Sequence, residues 1–222
     1  MKKKLEICVF NIKDCIKASK HQIDRIEFCK NRKEEGISPE KKDIAEAIKI
    51  HPNIYPMIRP RKGSFVYNSQ ELFYMIDLIT FCRKLGCKGV VLGALNKQNE
   101  IDVEQCKILL DKSGNMSTTF HKAFDETSDV FKSIDELIKL GFDRVLTSGK
   151  SKTALKGIKL INQLAIKTQN KISIMPGGGI RSDNINTFLN SKFLNEFHSS
   201  SIINNHFDET EIKKLIKKIS KK

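Results

Sequence analysis

The sequence predicts one domain over residues 1–222, a (β/α)8 barrel of the TIM type. Eight strand-like apolar runs each lead into a helical stretch, and the connections are short, with no linker between them. Such strict alternation implies a parallel sheet with right-handed crossovers. Eight units suit a closed barrel, and 222 residues lies near the lower end of its usual size. The competing topology is a doubly wound open sheet, but no GxGxxG follows the first strand.

The first strand is predicted over residues 5–10, with a short helix from Asp14, and the second strand over 24–29. Ser38, Pro39 and Glu40 predict a helix start, with Ser38 as the cap and Pro39 in the first turn. The third strand, 54–59, runs into Arg59-Pro60-Arg61, where Pro60 cannot donate to a ladder and so marks a strand end or an edge. Asn68 and Glu71 have capping-box spacing, and Leu72, Ile76, Ile79 and Cys82 form the apolar stripe of the next helix. Residues 89–95 are nearly all apolar, as expected of a strand covered on both faces. A helix from about Asp102, a strand over 117–124 and a helix over 129–140 follow, the last stopped by Gly141. Strands at 144–149, 171–175 and 196–200 complete the set, with helices from about Ser151, around 184–189 and over 208–219.

Composition narrows the class. A hydrophobic share of 39% and a charged share of 30% fit a globular chain and exclude a disordered one. The net charge of +14 invites nucleic acid or an anionic membrane as partner. The lysines, however, are spread along the chain and densest at its two ends, with no aromatic-rich basic module or zinc-finger spacing. They read as a solvated surface, so no specific nucleic-acid partner is expected. Glu6 and Asp14 interrupt the N-terminal apolar run, which argues against a signal peptide. No apolar stretch approaches the roughly 18 residues of a membrane span. Six cysteines without a CxxC pair point to free thiols in a reducing cytoplasm. A homo-oligomer remains open.

Barrels of this type carry their sites at the carboxyl ends of the strands. By the period-2 rule Glu6 and Cys8 share a face, as do Glu27 and Cys29, and Arg59 and Arg61. Acids facing the apolar helix layer would be costly, so the lumen is their cheaper location, with the arginines as counter-ions. A Glu–Arg network that merely fills the barrel satisfies the same parity. Arg59 and Arg61 offer planar forks for a carboxylate or phosphate. His121, Asp125 and Glu27 are candidates for proton handling, and His198 has the same ambiguity as His121 between catalysis and structure. His21, His51 and His206 look like helix-end or loop residues without partners.

Two further features suggest ligands. Glu6-Ile7-Cys8 is echoed by Glu27-Phe28-Cys29, so neighbouring strands carry one thiol each at matching places. Adjacent strands lie about 4.8 Å apart, so Cys8 and Cys29 would share a soft ion such as Cu(I), or else simply fill the barrel as small apolar side chains. Gly177, Gly178 and Gly179, ahead of a helix predicted near Ser182, resemble a phosphate cradle, and Ser199 and Ser200 end the eighth strand beside them.

Seven blocks together resemble the CutC family in order and content: residues 5–8, 24–29, 58–61, 91–95, 119–125, 144–149 and 196–200. They include Glu6, Cys8, Glu27, Cys29, Arg59, Arg61, His121, Asp125 and His198. The resemblance implies a TIM-type barrel, a cytoplasmic location and a link to copper homeostasis. Cu(I) binding has been proposed for some members of that family, and no reaction is firmly assigned to it. The chain departs from the family at Glu35-Gly36, where a Gly-Gly pair is expected, and in a short segment after the eighth strand. Two functions are therefore expected. One is copper handling, with Cys8 and Cys29 as ligands. The other is a barrel enzyme acting on a small anionic or phosphorylated metabolite, with the anion on Arg59, Arg61 and the glycine loop.

Overall fold

Eight parallel strands surround a common interior in the computed structural model, which describes residues 2–169 and 171–220. They are β1 (Lys4–Val9), β2 (Arg25–Phe28), β3 (Ile54–Pro56), β4 (Gly89–Leu92), β5 (Ser117–Phe120), β6 (Arg144–Thr147), β7 (Ser173–Pro176) and β8 (Glu196–Ser199). The helices between and after them are α1 (Ile12–Ser19), α2 (Lys41–Ile50), α3 (Ser69–Leu85), α4 (Val103–Ser113), α5 (Val130–Leu140), α6 (Ile158–Thr168), α7 (Asn186–Leu189) and α8 (Glu209–Ile219). A small hairpin, β9 (Ile202–Ile203) and β10 (His206–Phe207), precedes α8. The chain is a (β/α)8 barrel.

The ladders form two arcs, β3-β2-β1-β8 and β4-β5-β6-β7. One seam is joined by a parallel bridge between Met57 and Val91, and the Ile58 N–H donates to the Val91 carbonyl at 2.7 Å. At the other seam no ladder pair joins β7 to β8 among the described residues. The Ser199 hydroxyl crosses it instead, donating to the Ile180 carbonyl at 2.8 Å.

Local chemistry explains the elements. Asn68 and Glu71 form the expected capping box of α3, while Asp102, Asp129 and Asp208 cap α4, α5 and α8 through their side chains. Gly86 and Gly141 end α3 and α5 in the left-handed conformation. The outward strand residues Ile7, Ile26, Val90, Phe120, Val145, Ile174 and Phe197 pack on the helix layer in one continuous core. A separate apolar cluster of Cys8, Cys29, Tyr55, Met57 and Val91 lies inside the barrel, as the parity argument requires.

Several expectations need correction. Ser38 does not cap α2, because its hydroxyl accepts the Arg59 N–H at 2.8 Å; Glu40 occupies the cap position instead. β3 stops at Pro56, so Arg59 and Arg61 lie beyond the strand and the period-2 rule does not govern them. β5 stops at Phe120 and residues Lys122–Glu126 wind into a 3-10 turn. α6 begins at Ile158, well after Ser151. His21 is not without a partner, since its Nε2 meets Glu209 Oε2 at 3.0 Å.

The interior tolerates little added volume. A Cβ at Gly89 would lie 2.1 Å from the Tyr55 ring and 2.5 Å from the Ser117 carbonyl oxygen. Gly89→Ala should therefore cost about 1–3 kcal/mol by overpacking. Urea unfolding checks this through a lower midpoint at unchanged slope.

Candidate functional site

The lumen is built in two layers, and the lower one is a closed ion network. β1 and β2 pair so that Glu6 stands opposite Arg25 and Cys8 opposite Glu27. Arg25 donates to Glu6 Oε2 at 2.8 Å and meets Glu196 Oε2 at 2.6 Å. Arg144 adds a bond to the same Glu196 oxygen at 3.2 Å and one to the Thr119 hydroxyl at 3.2 Å. Both guanidiniums lie over the Tyr55 ring, at 5.2 and 5.5 Å. Burial would push Glu6 up, but Arg25 and His198 outweigh it and hold the carboxyl at about 2. Burial likewise works against Glu196, which the Arg25 and Arg144 charges nevertheless keep low.

This network was not anticipated in full. Arg25, Arg144 and Glu196 were missed, although each shares parity with a lumen residue on its own strand. The signal lies at the strand starts, at the opposite end from the carboxyl ends where barrel sites sit.

The upper layer begins at His198. Its Nδ1 lies 2.7 Å from Glu6 Oε1, so the carboxylate accepts a hydrogen bond from Nδ1–H and the ring turns Nε2 toward Glu27, 3.9 Å away. Burial opposes a charge on His198, but Glu27 and Glu6 prevail and raise its pKa. Burial raises Glu27 as well, against the pull of His198. Cys29 donates to Glu27 Oε2 at 3.5 Å, and Cys8 Sγ stands 3.9 Å from Cys29 Sγ. The hydrogen bond to Cys29 and burial push the Cys8 thiol well above its ordinary range, and burial pushes Cys29 up to about 12.

Above these groups a cavity of 180 Å³ opens at the carboxyl ends of the strands. Cys8, Glu27, Arg59, His121, Lys122, Gly178, Gly179, His198, Ser199 and Ser200 all contribute to its wall. Arg59 lies over the Phe65 ring at 4.6 Å, and its Nη atoms donate to the carbonyls of Glu34, Gly36 and Gly63 at 3.2–3.3 Å. Glu35 is also on the wall and has φ 59, a left-handed backbone that glycine adopts freely. This is the position where the resemblance led to an expectation of glycine.

The remaining sequence candidates have other work. Arg61 is tied to Glu71 and to the carbonyls of Lys62, Ser64 and Val66, outside the cavity wall. Asp125 accepts from the Thr147 hydroxyl, from the Ser148 N–H and hydroxyl, and from the Lys150 N–H, so its oxygens hold the loop after β6. Gly177 lies behind the wall, where a Cβ would strike Leu146 at 2.3 Å. The Ser199 hydroxyl accepts a hydrogen bond from Arg181 at 3.2 Å while donating one to the Ile180 carbonyl, and the Ser200 hydroxyl accepts from Arg181 at 3.3 Å.

His121 is the most perturbed imidazole. Burial, aided by the Arg59 charge, pushes it down to about 3, so it is neutral in the folded protein. The unfolded chain takes up this proton below the ordinary value of 6.5 and the folded chain does not. Stability therefore falls with pH across that window. Relative to His121→Phe, wild-type stability should drop by about 1.4 kcal/mol per pH unit as pH falls from about 6.5 toward about 3. Paired urea titrations of the two proteins measure the difference.

Comparisons with known proteins agree with this architecture. The CutC family model matches residues 3–203. The chain is 38% identical over 199 residues to a CutC family protein from Pasteurella multocida, covering 89% of this chain and 81% of the relative. It is 36% identical to the human copper homeostasis protein cutC homolog, covering 89% and 72% of the two chains. A solved CutC structure from Streptococcus agalactiae superposes with a TM-score of 0.85 at 35% identity, covering 89% of this chain and 98% of that one. The chain belongs to the CutC family.

Proposed function

We propose that this protein serves copper homeostasis by holding Cu(I) as cargo between Cys8 and Cys29, with the Glu27 carboxyl beside them. The observation that carries the reading is the pair of buried sulfurs 3.9 Å apart. Two sulfurs each about 2.3 Å from one ion stand roughly 3.8–4.6 Å apart, from a tetrahedral to a linear angle. Thiolates suit a soft monovalent ion better than carboxylates or imidazoles do. Glu27, Cys8 and Cys29 present donor atoms within 4.8 Å of one another, a compact set on β1 and at the end of β2. All six cysteines are free thiols, which supports a reducing, cytoplasmic location. No described helix is long and apolar enough to cross a membrane.

Both thiols are held protonated by their surroundings, so loading must release protons and tighten as pH rises. Cys8→Ser combined with Cys29→Ser should abolish tight Cu(I) binding, measured by competition with a chromophoric Cu(I) chelator under reducing conditions. Wild-type affinity should climb between pH 6 and pH 8 in the same assay. Unchanged affinity in the double variant would remove the reading.

A second reading is supported by unpaired polar atoms at the same mouth. Glu27 Oε1, Arg59 Nε and His121 Nε2 are buried and have no hydrogen-bond partner among the described residues. They suit an enzyme acting on a small anionic or phosphorylated metabolite, with Arg59 and Lys122 holding the anion and Glu27 moving a proton. Thermal-shift screening of small phosphorylated and carboxylated metabolites tests it, because a specific ligand at 100 times its Kd stabilises by about 2.7 kcal/mol. Absence of any shift at millimolar concentrations would count against it.

A further inference from the structure

The carboxyl-end cavity leaves three polar atoms unsatisfied, and their chemistry is complementary. Glu27, Arg59 and His121 are only 2%, 5% and 3% exposed, yet among the described residues Glu27 Oε1, Arg59 Nε and His121 Nε2 find no hydrogen-bond partner. All three residues wall the same 180 Å³ space. Each such group costs about 1–3 kcal/mol when left dry. Three around one cavity mark a place shaped for a guest and not a packing defect.

The neighbours of each atom set its role. His121 Nδ1 accepts the Ala123 N–H at 3.3 Å, which places the ring proton on Nε2 and makes that atom a neutral donor. The Arg59 Nη atoms are occupied by backbone carbonyls and the guanidinium also acts on the buried Tyr67 hydroxyl, so what Arg59 brings to the wall is its positive charge. Arg59 and His121 pack against the same Phe65 ring, at 4.6 and 4.8 Å, so the two donors are held close to one another. Lys122 is also on the wall, with its ammonium 4.0 Å from where a Gly178 Cβ would stand. Among the described residues the Gly178 and Gly179 N–H groups have no backbone acceptor. This donor-rich side suits one oxyanion.

The opposite requirement comes from Glu27. Its free oxygen suits a group that both gives and accepts a hydrogen bond, as a hydroxyl does. Glu35 on the wall disfavours a second negative charge. The cavity is also smaller than the ~300–1,000 Å³ usual for larger ligands.

The geometry points to a binding site for a small hydroxy-carboxylate of a few carbons, its carboxylate on His121 Nε2–H beside the Arg59 charge and its hydroxyl on Glu27 Oε1. This rests on the second reading above and names its ligand class.

Calorimetric titration of the full-length chain, purified without added copper and kept reduced, tests the assignment with glycolate, acetate and inorganic phosphate as probes. Saturable glycolate binding is expected, with acetate at least fivefold weaker. His121→Phe should weaken glycolate at least tenfold while the far-UV circular dichroism is retained. In the wild-type protein the His121 Nε2–H resonance should shift on glycolate addition, a readout that needs no variant to fold. Glycolate that fails to saturate, binds no better than acetate, or leaves that resonance unmoved would overturn the assignment. If phosphate alone binds, the hydroxy-carboxylate class falls and the anion reading stands; if none of the three binds, both fall.

Discussion

The arrangement of the lumen depends on Arg25. A guanidinium inside a barrel must be matched by acids, and Arg25 is held by Glu6 on the neighbouring strand and by Glu196 on β8. Glu196 in turn ties in Arg144 from the opposite arc of the barrel. The two acids and two guanidiniums thus bind β1, β2, β6 and β8 together at their amino ends. The same contacts place Tyr55 beneath both cations, and Tyr55 requires the bare backbone of Gly89. Charge matching and close packing are one constraint here.

That lower layer also organises the upper one. Because Glu6 is ionised, it fixes the His198 ring through Nδ1 and leaves Nε2 facing Glu27. Glu27 then stands between two chemistries. One oxygen faces Cys29 and His198, and the other has no hydrogen-bond partner among the described residues. Soft donors lie on one side, at Cys8 and Cys29, and hard cationic donors on the other, at Arg59 and Lys122. The lower layer is fully paired while the upper layer is not, and this contrast separates the part of the lumen that holds the barrel together from the part able to receive a ligand.

Much of the architecture was legible in the chain. The alternation of strand and helix, the capping residues Asn68, Asp102, Asp129 and Asp208, and the lumen parity of Glu6, Cys8, Glu27 and Cys29 all follow from local periodicity and hydrogen bonding. Arg61 and Asp125 were less legible. Both stand in polar, loop-like contexts where composition is the same for a ligand contact and for a loop brace. The structure gives Arg61 to Glu71 and Asp125 to Thr147 and Ser148. Ser38 shows the same limit, since its hydroxyl serves Arg59, twenty-one positions away, and not the helix it precedes.

The sequence by itself determined the order of elements, the faces of the strands and the membership of the family, because these depend on neighbours within a few residues or on ordered motifs. Only the tertiary structure decided which acid meets which cation, which thiols stand together and which polar atoms are left over. Those outcomes depend on the stagger between strands and on the paths of loops such as 59–65 and 147–153. The spacing of residues along the chain does not encode either, because partners such as Glu6 and His198 are brought together only when the barrel closes.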